Sequence, residues 1–220
     1  MINKKYSILT DKQKLFLAHF KKNSTLSSTF YLTGGTALAE FYLQHRLSED
    51  LDFFSENKFD TDIVYEFSNK IKTDLQAKTM TNLKSNGREI FELKFDSALL
   101  KVEFVYYPYV NLKPLKKIND LYVNDLFDIS VNKIFAVFSR NETKDFVDLY
   151  FLLKKYSLNK LLAGVEKKFG IKLSPFSLGN EFYKAKNITM LPKMINNLSA
   201  KQLTDFYKDQ ARKLGGIFIQ

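Results

Sequence analysis

The hydrophobic pattern of the chain changes near residue 123, and this change constrains the fold more than any other feature. Between residues 78 and 107, apolar and polar residues alternate, which is the two-residue period of a β-strand. After Asn124, apolar residues recur every three or four positions to the end of the chain, which is the period of a helix. We therefore predict an α+β protein with an α/β core in residues 1–122 and an all-α C-terminal lobe in residues 123–220.

The same patterns predict individual elements, and Ser85-Asn86-Gly87 predicts a hairpin turn. The expected strands are Ser28–Thr33, Leu51–Phe54, Lys78–Leu83, Glu89–Phe95 and Leu99–Tyr107. The expected helices are Asp11–Lys21, Thr36–Gln44, Thr61–Gln76, Asp125–Ser139, Lys144–Tyr156, Asn159–Phe169 and two more near Asn180 and Lys201. Because the chain contains 21 Phe and no Trp, we expect a phenylalanine-rich core.

The composition excludes several kinds of site. Without any Cys, the chain has no disulfide, thiolate zinc site or Cys nucleophile. Two histidines, His19 and His45, are too few for a multi-His metal site and disfavour Ser-His catalysis. Apolar runs are too short to cross a bilayer, and lysines interrupt the segment before Phe20, so we expect no signal peptide. These features predict a soluble, cytoplasmic protein that does not act at a membrane.

The positive charge is concentrated in the C-terminal part of the chain. The net charge is +10, and residues 151–220 contain 13 Lys and Arg against four Asp and Glu. Such an asymmetry favours a basic lobe that faces a polyanion. A lysine-rich solvated helical surface is an equally good interpretation.

Two aspartates in a predicted strand indicate a cation site. Side chains on a strand repeat every second residue, so Asp50 and Asp52 point to one face and Leu51 and Phe53 to the other. Neighbouring carboxylates repel each other, and a strand rarely presents them without a cation. Mg²⁺, which prefers oxygen ligands and is often held by one or two carboxylates, is the expected partner, with Mn²⁺ as an alternative.

A glycine pair before a helix predicts a phosphate site. Gly34 and Gly35 end a predicted strand, so the following helix start offers backbone N–H groups to an anion. Glycine also lets a phosphate approach the backbone closely, and Thr36 adds a hydroxyl. Glu103, in the otherwise apolar segment Val102–Val105, is the candidate third carboxylate, and three carboxylates could hold two metal ions. A solvated glutamate on an edge strand is the alternative interpretation of Glu103.

These segments resemble the AbiEii/AbiGii nucleotidyltransferase toxin family, within the DNA polymerase β-like nucleotidyltransferase superfold. The resemblance rests on Gly-Gly-Thr-Ala-Leu-Ala at 34–39 and on Arg-x-Ser-x-Asp-Leu-Asp-Phe-Phe at 46–54. A second motif follows in Lys133, Arg140 and Lys144-Asp145-x-x-Asp148-Leu149. The resemblance extends from about Phe30 to Leu153 and implies a nucleotidyltransferase-like mixed sheet flanked by helices. The third carboxylate is often Asp in relatives, and Glu103 departs mildly from that pattern.

The basic residues of the second motif are expected to act on phosphate charge. Lys133, Arg140 and Lys144 would share one face of a continuous helix, although residues 141–143 could break it, with Asn141 as the next N-cap. Alternatively, they are surface cations, with Lys144 and Asp148 as an ordinary helical pair. The resemblance implies that Asp145 is important and leaves the role of Asp148 open. Arg46 and Ser48 either orient the strand or contact phosphate, and His45 is expected on a helix surface.

The implied reaction transfers a nucleoside monophosphate from an NTP to a hydroxyl and releases pyrophosphate. The expected catalytic residues are Asp50, Asp52, Glu103, Lys133 and Asp145, and the first three are also the metal ligands. The expected nucleotide-binding residues are Gly34, Gly35, Thr36, Arg46, Ser48, Arg140 and Lys144. By resemblance the protein is a toxin of a toxin–antitoxin or phage-defence system, with the 3′ end of tRNA or another RNA as acceptor and a cognate antitoxin as partner. The alternatives are a protein-modifying nucleotidyl or phosphoryl transferase and a non-catalytic nucleotide- or RNA-binding module.

Overall fold

The structure, a computed structural model, describes residues 6–215. Its strands are β1 (Tyr31–Thr33), β2 (Asp50–Ser55), β3 (Thr79–Ser85), β4 (Arg88–Lys94), β5 (Leu99–Tyr106), β6 (Lys116–Ile118) and β7 (Leu121–Val123). Its helices are α1 (Asp11–Lys22), α2 (Ser24–Thr29), α3 (Gly34–Leu38), α4 (Thr61–Asp74), α5 (Leu126–Ser139), α6 (Thr143–Leu152), α7 (Leu158–Phe169), α8 (Pro175–Tyr183) and α9 (Ala200–Lys213). A π-helix, Ala39–Leu43, continues α3, and a 3₁₀ turn, Lys184–Asn187, follows α8.

The strands form one mixed sheet in the order β3-β4-β5-β2-β1-β7-β6. The pairs β2/β5 and β1/β7 are parallel, and the other neighbouring pairs are antiparallel. The predicted α+β fold, with a mixed sheet followed by helices, is therefore confirmed. The central strand β2 lies between the parallel β5 and the antiparallel β1, so it brings residues from distant parts of the chain together.

Aromatic side chains fill the core beneath the sheet. Phe53 of β2 stacks on Phe20 of α1 at 4.2 Å between ring centroids and lies 5.3 Å from Phe104 of β5. All three side chains are fully buried. The expected phenylalanine-rich core is present, and it fixes which face of β2 carries the aspartates.

The chain folds into two compact units. The sheet unit contains the chain up to Tyr42 together with Ser48–Asp125, and the helical unit contains Leu43–Leu47 together with the chain from Leu126 onward. The sequence placed a single division between residues 122 and 123. The structure differs because the short segment Leu43–Leu47 makes its backbone and side-chain contacts with the helical unit: the carbonyl of His45 accepts from Ile195 and Asn196 at 2.9 and 3.0 Å.

Two local expectations were wrong, and one hairpin was missed. Ser28–Thr33 is not one strand, because Asn23 caps α2 by accepting from the amide of Leu26 at 3.0 Å, and the strand begins only at Tyr31. The helix expected at Thr36–Gln44 begins at Gly34 and changes to a π-helix at Ala39. The hairpin of β6 and β7 was missed, although its turn residues Asn119 and Asp120 both adopt positive φ, as a type I′ turn requires.

The helical unit is held by buried polar contacts as well as by apolar packing. Tyr207 of α9 donates to the carbonyl of Phe146 in α6 at 2.7 Å, and Lys168 of α7 binds Asp128 of α5 at 2.8 Å with both side chains fully buried. Across residues 6–215, the helices lack the combination of length and apolar character that a membrane span needs.

Candidate active site

One face of the sheet carries the three predicted carboxylates. In β2, Asp50 and Asp52 are partly exposed while Leu51 and Phe53 are buried, as strand alternation requires. The parallel strand β5 aligns Glu103 with Asp52 and Lys101 with Asp50. Paired strands lie about 4.8 Å apart, so the backbones that carry the three acids are immediate neighbours.

The glycine turn lies against Asp52. Gly34 adopts φ +70°, and a Cβ built on it would lie 1.9 Å from Oδ2 and 2.7 Å from Cγ of Asp52. The preceding residue, Thr33, is the antiparallel partner of Asp52 in the sheet. The position therefore needs glycine both for its left-handed backbone and for the close approach of the carboxylate.

Thr36 and Gln13 hold the backbone of the aspartate segment in place. The buried Thr36 hydroxyl donates to the carbonyl of Asp50, so this hydroxyl connects the start of α3 to β2. The buried Gln13 side chain of α1 donates to the carbonyls of Ser48 and Glu49, at 3.1 Å each. Thr36 and the backbone of Ser48 thus take part in contacts within the sheet unit, Gly35 is buried at the helix start, and the nucleotide-binding roles of all three stay predictions.

A lysine occupies the acidic face. Lys101 Nζ lies 2.6 Å from Glu103 Oε1, and Arg88 Nη1 lies 3.6 Å from Glu103 Oε2. Burial opposes protonation of Lys101, but the hydrogen bond to Glu103 and the charges of Glu103, Asp50 and Asp52 outweigh it and raise its pKa. All three carboxylates therefore act on one cation. The sequence could have indicated this residue, because Lys101 and Glu103 are two apart on a strand and must share a face.

The carboxylates suit a divalent cation in chemistry but do not form a complete cluster. Within residues 6–215, no three His, Cys, Asp or Glu side chains come together as a metal site. The carboxylate oxygens of Glu103 contact Lys101 and Arg88. The donors fit Mg²⁺ because they are carboxylate oxygens on one face, and Lys101 shows that this face attracts a cation. The assignment of Asp50, Asp52 and Glu103 as metal ligands stays a prediction.

The second motif forms a buried ionic network inside the helical unit. Lys133 Nζ lies 2.7 Å from Asp145 and 2.6 Å from Asp148. Arg46 binds the same Asp148 through Nε and Nη2, and His45 Nε2 lies 2.7 Å from it. At least nine tenths of each of these five side chains is buried. Burial raises the pKa of Asp148, but the charges of Lys133 and Arg46 and the hydrogen bonds outweigh it and hold this pKa well below its ordinary value.

Arg140 and Lys144 are the accessible cations of that motif. Arg140 Nε lies 2.8 Å from Asp145, and Lys144 Nζ lies 3.1 Å from Glu142, with about half of each basic side chain exposed. The helix breaks between Ser139 and Thr143, and Glu142 rather than Asn141 is the N-cap. Lys133 is buried whereas Arg140 and Lys144 remain accessible, so the three cations do not share one helix face.

His45 was misplaced by the sequence interpretation. It was expected on a helix surface, but it is fully buried against Asp148 and Phe151, because the helix ends at Leu43 and Gln44 turns with φ 48°. Burial lowers the pKa of His45 despite the nearby Asp148. Arg46 likewise binds Asp148. Their partner lies about a hundred residues away, so local spacing carried no signal of it. Whether Arg46 orients the strand or contacts phosphate stays a prediction.

A family comparison covers nearly the whole chain. The model of the nucleotidyl transferase AbiEii toxin, of type IV toxin–antitoxin systems, matches residues 15–214. A protein of Aquifex aeolicus (strain VF5), itself uncharacterized, is 35% identical over 152 residues, which cover 66% of this chain and 68% of that protein.

Solved structures share the fold. A proposed nucleotidyltransferase from H. pylori superposes with a TM-score of 0.58 at 23% identity, over 94% of this chain and 98% of that chain. MenT4, a nucleotidyltransferase toxin from Mycobacterium tuberculosis H37Rv, superposes with a TM-score of 0.51 at 14% identity, over 93% of this chain and 84% of that chain.

Proposed function

The chain belongs to the AbiEii nucleotidyl transferase toxin family, and we propose that this nucleotidyltransferase moves a nucleoside monophosphate from an NTP to the 3′ end of tRNA. One observation carries the proposal: Asp52 and Glu103 are aligned on neighbouring parallel strands, with Asp50 on the same face and the Gly34 turn against Asp52. Acids and a glycine-bordered helix start in one place are what metal-assisted transfer from a triphosphate needs.

Asp50, Asp52 and Glu103 hold Mg²⁺ in this proposal. The bound ion would supply charge stabilisation at the phosphorus and at the acceptor oxygen. Gly34 lets the turn approach the Asp52 carboxylate closely, and the amides that follow it, starting with Gly35, donate hydrogen bonds to phosphate oxygens. The Thr36 hydroxyl donates to the Asp50 carbonyl, so it connects the helix start to β2. We therefore assign Thr36 to positioning β2 rather than to binding phosphate.

The second motif divides between positioning and phosphate binding. Lys133 and Arg46 are buried with Asp145 and Asp148, so we assign all four to holding the second motif and the segment Leu43–Leu47 in place within the helical unit. Arg140 and Lys144 keep about half of their side chains exposed, and we assign to them the phosphate contacts with NTP or RNA. Arg140 also donates from Nε to Asp145 Oδ2 at 2.8 Å, which orients its guanidinium.

The C-terminal part of the chain supports an RNA acceptor. Residues 151–220 contain 13 basic and four acidic residues. Basic side chains bind the phosphate backbone independently of sequence, and such binding weakens steeply with salt. A toxin that modifies tRNA ends would arrest translation, and a cognate antitoxin is the expected partner in the cell.

Labelled nucleotides test the reaction. The protein is incubated with total tRNA, Mg²⁺ and each NTP labelled in turn on the α- or the γ-phosphate. We expect label on tRNA only from α-labelled NTP, and mass spectrometry of the tRNA should show added 3′ nucleotides. Label from γ-labelled NTP, or on protein instead of RNA, would contradict the proposal.

Matched variants connect the reaction to the site. Asp52→Asn removes one carboxylate from the acidic face, and Asp96→Asn makes the same change at a residue that is 81% exposed. D52N should lose transfer by roughly 10³-fold while retaining RNA binding, and D96N should keep both. Equal activity of D52N and wild type would exclude the assigned site, and RNA binding without any transfer in wild type would favour a binding module.

A further inference from the structure

Lys101 places a cation where a metal-binding nucleotidyltransferase needs an open acidic face. Its side chain shares that face with Glu103, two residues further along β5, and its backbone is aligned with Asp50 of β2. Lys101 Nζ lies 2.6 Å from Glu103 Oε1, and their side chains are 31% and 12% exposed. This is a close ion pair in a partly desolvated position.

The contact involves an oxygen that a metal ion would use. Carboxylates gathered on one face repel each other, and a nearby cation relieves that repulsion. The protein itself supplies this cation as Lys101, because Lys101 and the three acids lie on the adjacent strands β2 and β5. A lysine suits such a role, since its ammonium is a point charge on a flexible stem that can move away without unfolding a strand.

We propose that Lys101 is a displaceable internal cation that holds Glu103 until a divalent ion takes its place. The inference rests on the proposed function, since it concerns how Asp50, Asp52 and Glu103 receive their metal. Arg88 is a weaker second holder: its Nη1 is 3.6 Å from Glu103 Oε2, and 47% of its side chain is exposed. The negative charge of the acidic face is therefore partly neutralised before metal arrives, and metal binding includes the release of the Lys101–Glu103 pair.

Removal of the lysine charge should strengthen metal binding. Lys101→Met keeps the length of the side chain and removes the competitor, so Mn²⁺ should bind about tenfold more tightly than to wild type in the absence of nucleotide. Lys101→Gln is a second neutral variant, in case the Met variant folds poorly. Lys94→Met is the matched control, because Lys94 is exposed at the end of β4 and pairs with Leu99 rather than with one of the acids.

Mn²⁺ binding is measured directly, by the electron paramagnetic resonance signal of the free ion, and by the rise in Tm on Mn²⁺ addition. The inference requires tighter binding and a larger Tm rise for K101M or K101Q, with K94M equal to wild type. Equal or weaker binding by both neutral Lys101 variants, with Mn²⁺ still bound by wild type, would overturn the inference alone. Binding by neither wild type nor any Lys101 variant would overturn the metal assignment as well.

Discussion

Arg46 donates two hydrogen bonds to Asp148, from Nε to Oδ1 at 2.6 Å and from Nη2 to Oδ2 at 2.8 Å. Both side chains are buried, and Lys133 and His45 contact the same carboxylate. Asp148 is therefore the only acid that the structure describes in contact with Arg46, Lys133 and His45 together. It secures the segment Leu43–Leu47 within the helical unit.

Asp148→Asn should destabilise the protein strongly. The substitution leaves two buried cations, Arg46 and Lys133, without their full countercharge, and breaking a buried pair costs about 3–5 kcal/mol. Urea unfolding followed by circular dichroism measures the change. Asp205→Asn is the control, because Asp205 also pairs with a lysine, Lys201 at 2.6 Å, but 61% of it is exposed. Equal unfolding midpoints for D148N and D205N would contradict a structural role for the network.

Acid should destabilise the protein in two stages. Burial lowers the pKa of His45 below its ordinary value of about 6.5, so the unfolded chain takes up its proton first. The stability that His45 contributes is complete above about pH 6.5 and is lost as the pH falls below it, by at most about 1.4 kcal/mol per pH unit. The pKa of Asp148 is also lowered, so its contribution is lost only in stronger acid, below about pH 3.8.

The first stage is assigned with His45→Gln, which keeps a hydrogen-bond donor for Asp148. Unfolding free energies at pH 8, 6.5 and 5 should fall less steeply for H45Q than for wild type. The two proteins are compared first at pH 8, where the histidine proton makes no difference. An unchanged slope between pH 6.5 and 5 would show that another group causes the acid sensitivity.

Gly34→Ala should impair the site beyond its effect on the backbone. Gly34 and Gly170 share a left-handed backbone, with φ +70° and +68°. An added Cβ at Gly34 would collide with the Asp52 carboxylate, whereas at Gly170 it would meet no described atom within 4 Å. Both substitutions should cost about 1–2 kcal/mol of backbone strain, and only G34A should lose nucleotidyl transfer as well.

Measurement of unfolding and transfer for the two glycine variants separates these effects. If G34A retained full transfer activity, the contact between the turn and Asp52 would have no catalytic consequence. If G170A lost transfer in parallel, strain anywhere in the fold would explain the loss.

Lys133 should contribute to stability, and Lys144 should contribute to substrate binding. Lys133→Met removes the cation between Asp145 and Asp148 and should lower the free energy of unfolding by about 3–5 kcal/mol. Lys144→Gln removes a cation that is 41% exposed and should leave stability unchanged while raising the KM for NTP or tRNA. Steady-state kinetics at two salt concentrations, together with unfolding curves, distinguish the two. A stable K133M with an altered KM would reverse the assignment.

The features that the sequence predicted well are those with a local period. The alternation in β2 separates Asp50 and Asp52 from the buried Phe53, and the family, fold class and enzyme class that the motifs indicated are confirmed. Cytoplasmic location, the tRNA acceptor and the metal ligands stay predictions. The division of residues at 122/123 also rested on a local signal, and it could not include Leu43–Leu47, whose partners are distant.

The features that it missed depend on contacts between distant residues. The π-helix after α3 and the positive φ of Gln44 turn His45 inward, and helical periodicity gave no sign of this. The basic residues of the second motif looked equivalent in spacing, yet Lys133 is buried and Lys144 is not. A charged side chain can be buried only where the fold places a carboxylate beside it. For Lys133 of α5, these carboxylates are Asp145 and Asp148 of α6.

The assignment of Leu43–Leu47 to the helical unit has a consequence for dissection of the molecule. A fragment that starts at Leu126 would contain Asp148 but neither Arg46 nor His45, and its interior would hold an ionic network short of two members. The helical unit is therefore assembled from two separate pieces of the chain. The segment Leu43–Leu47, which belongs to that unit, ends three residues before Asp50, the first residue of β2. An engineered replacement of the helices must therefore also match the segment that leads into this strand.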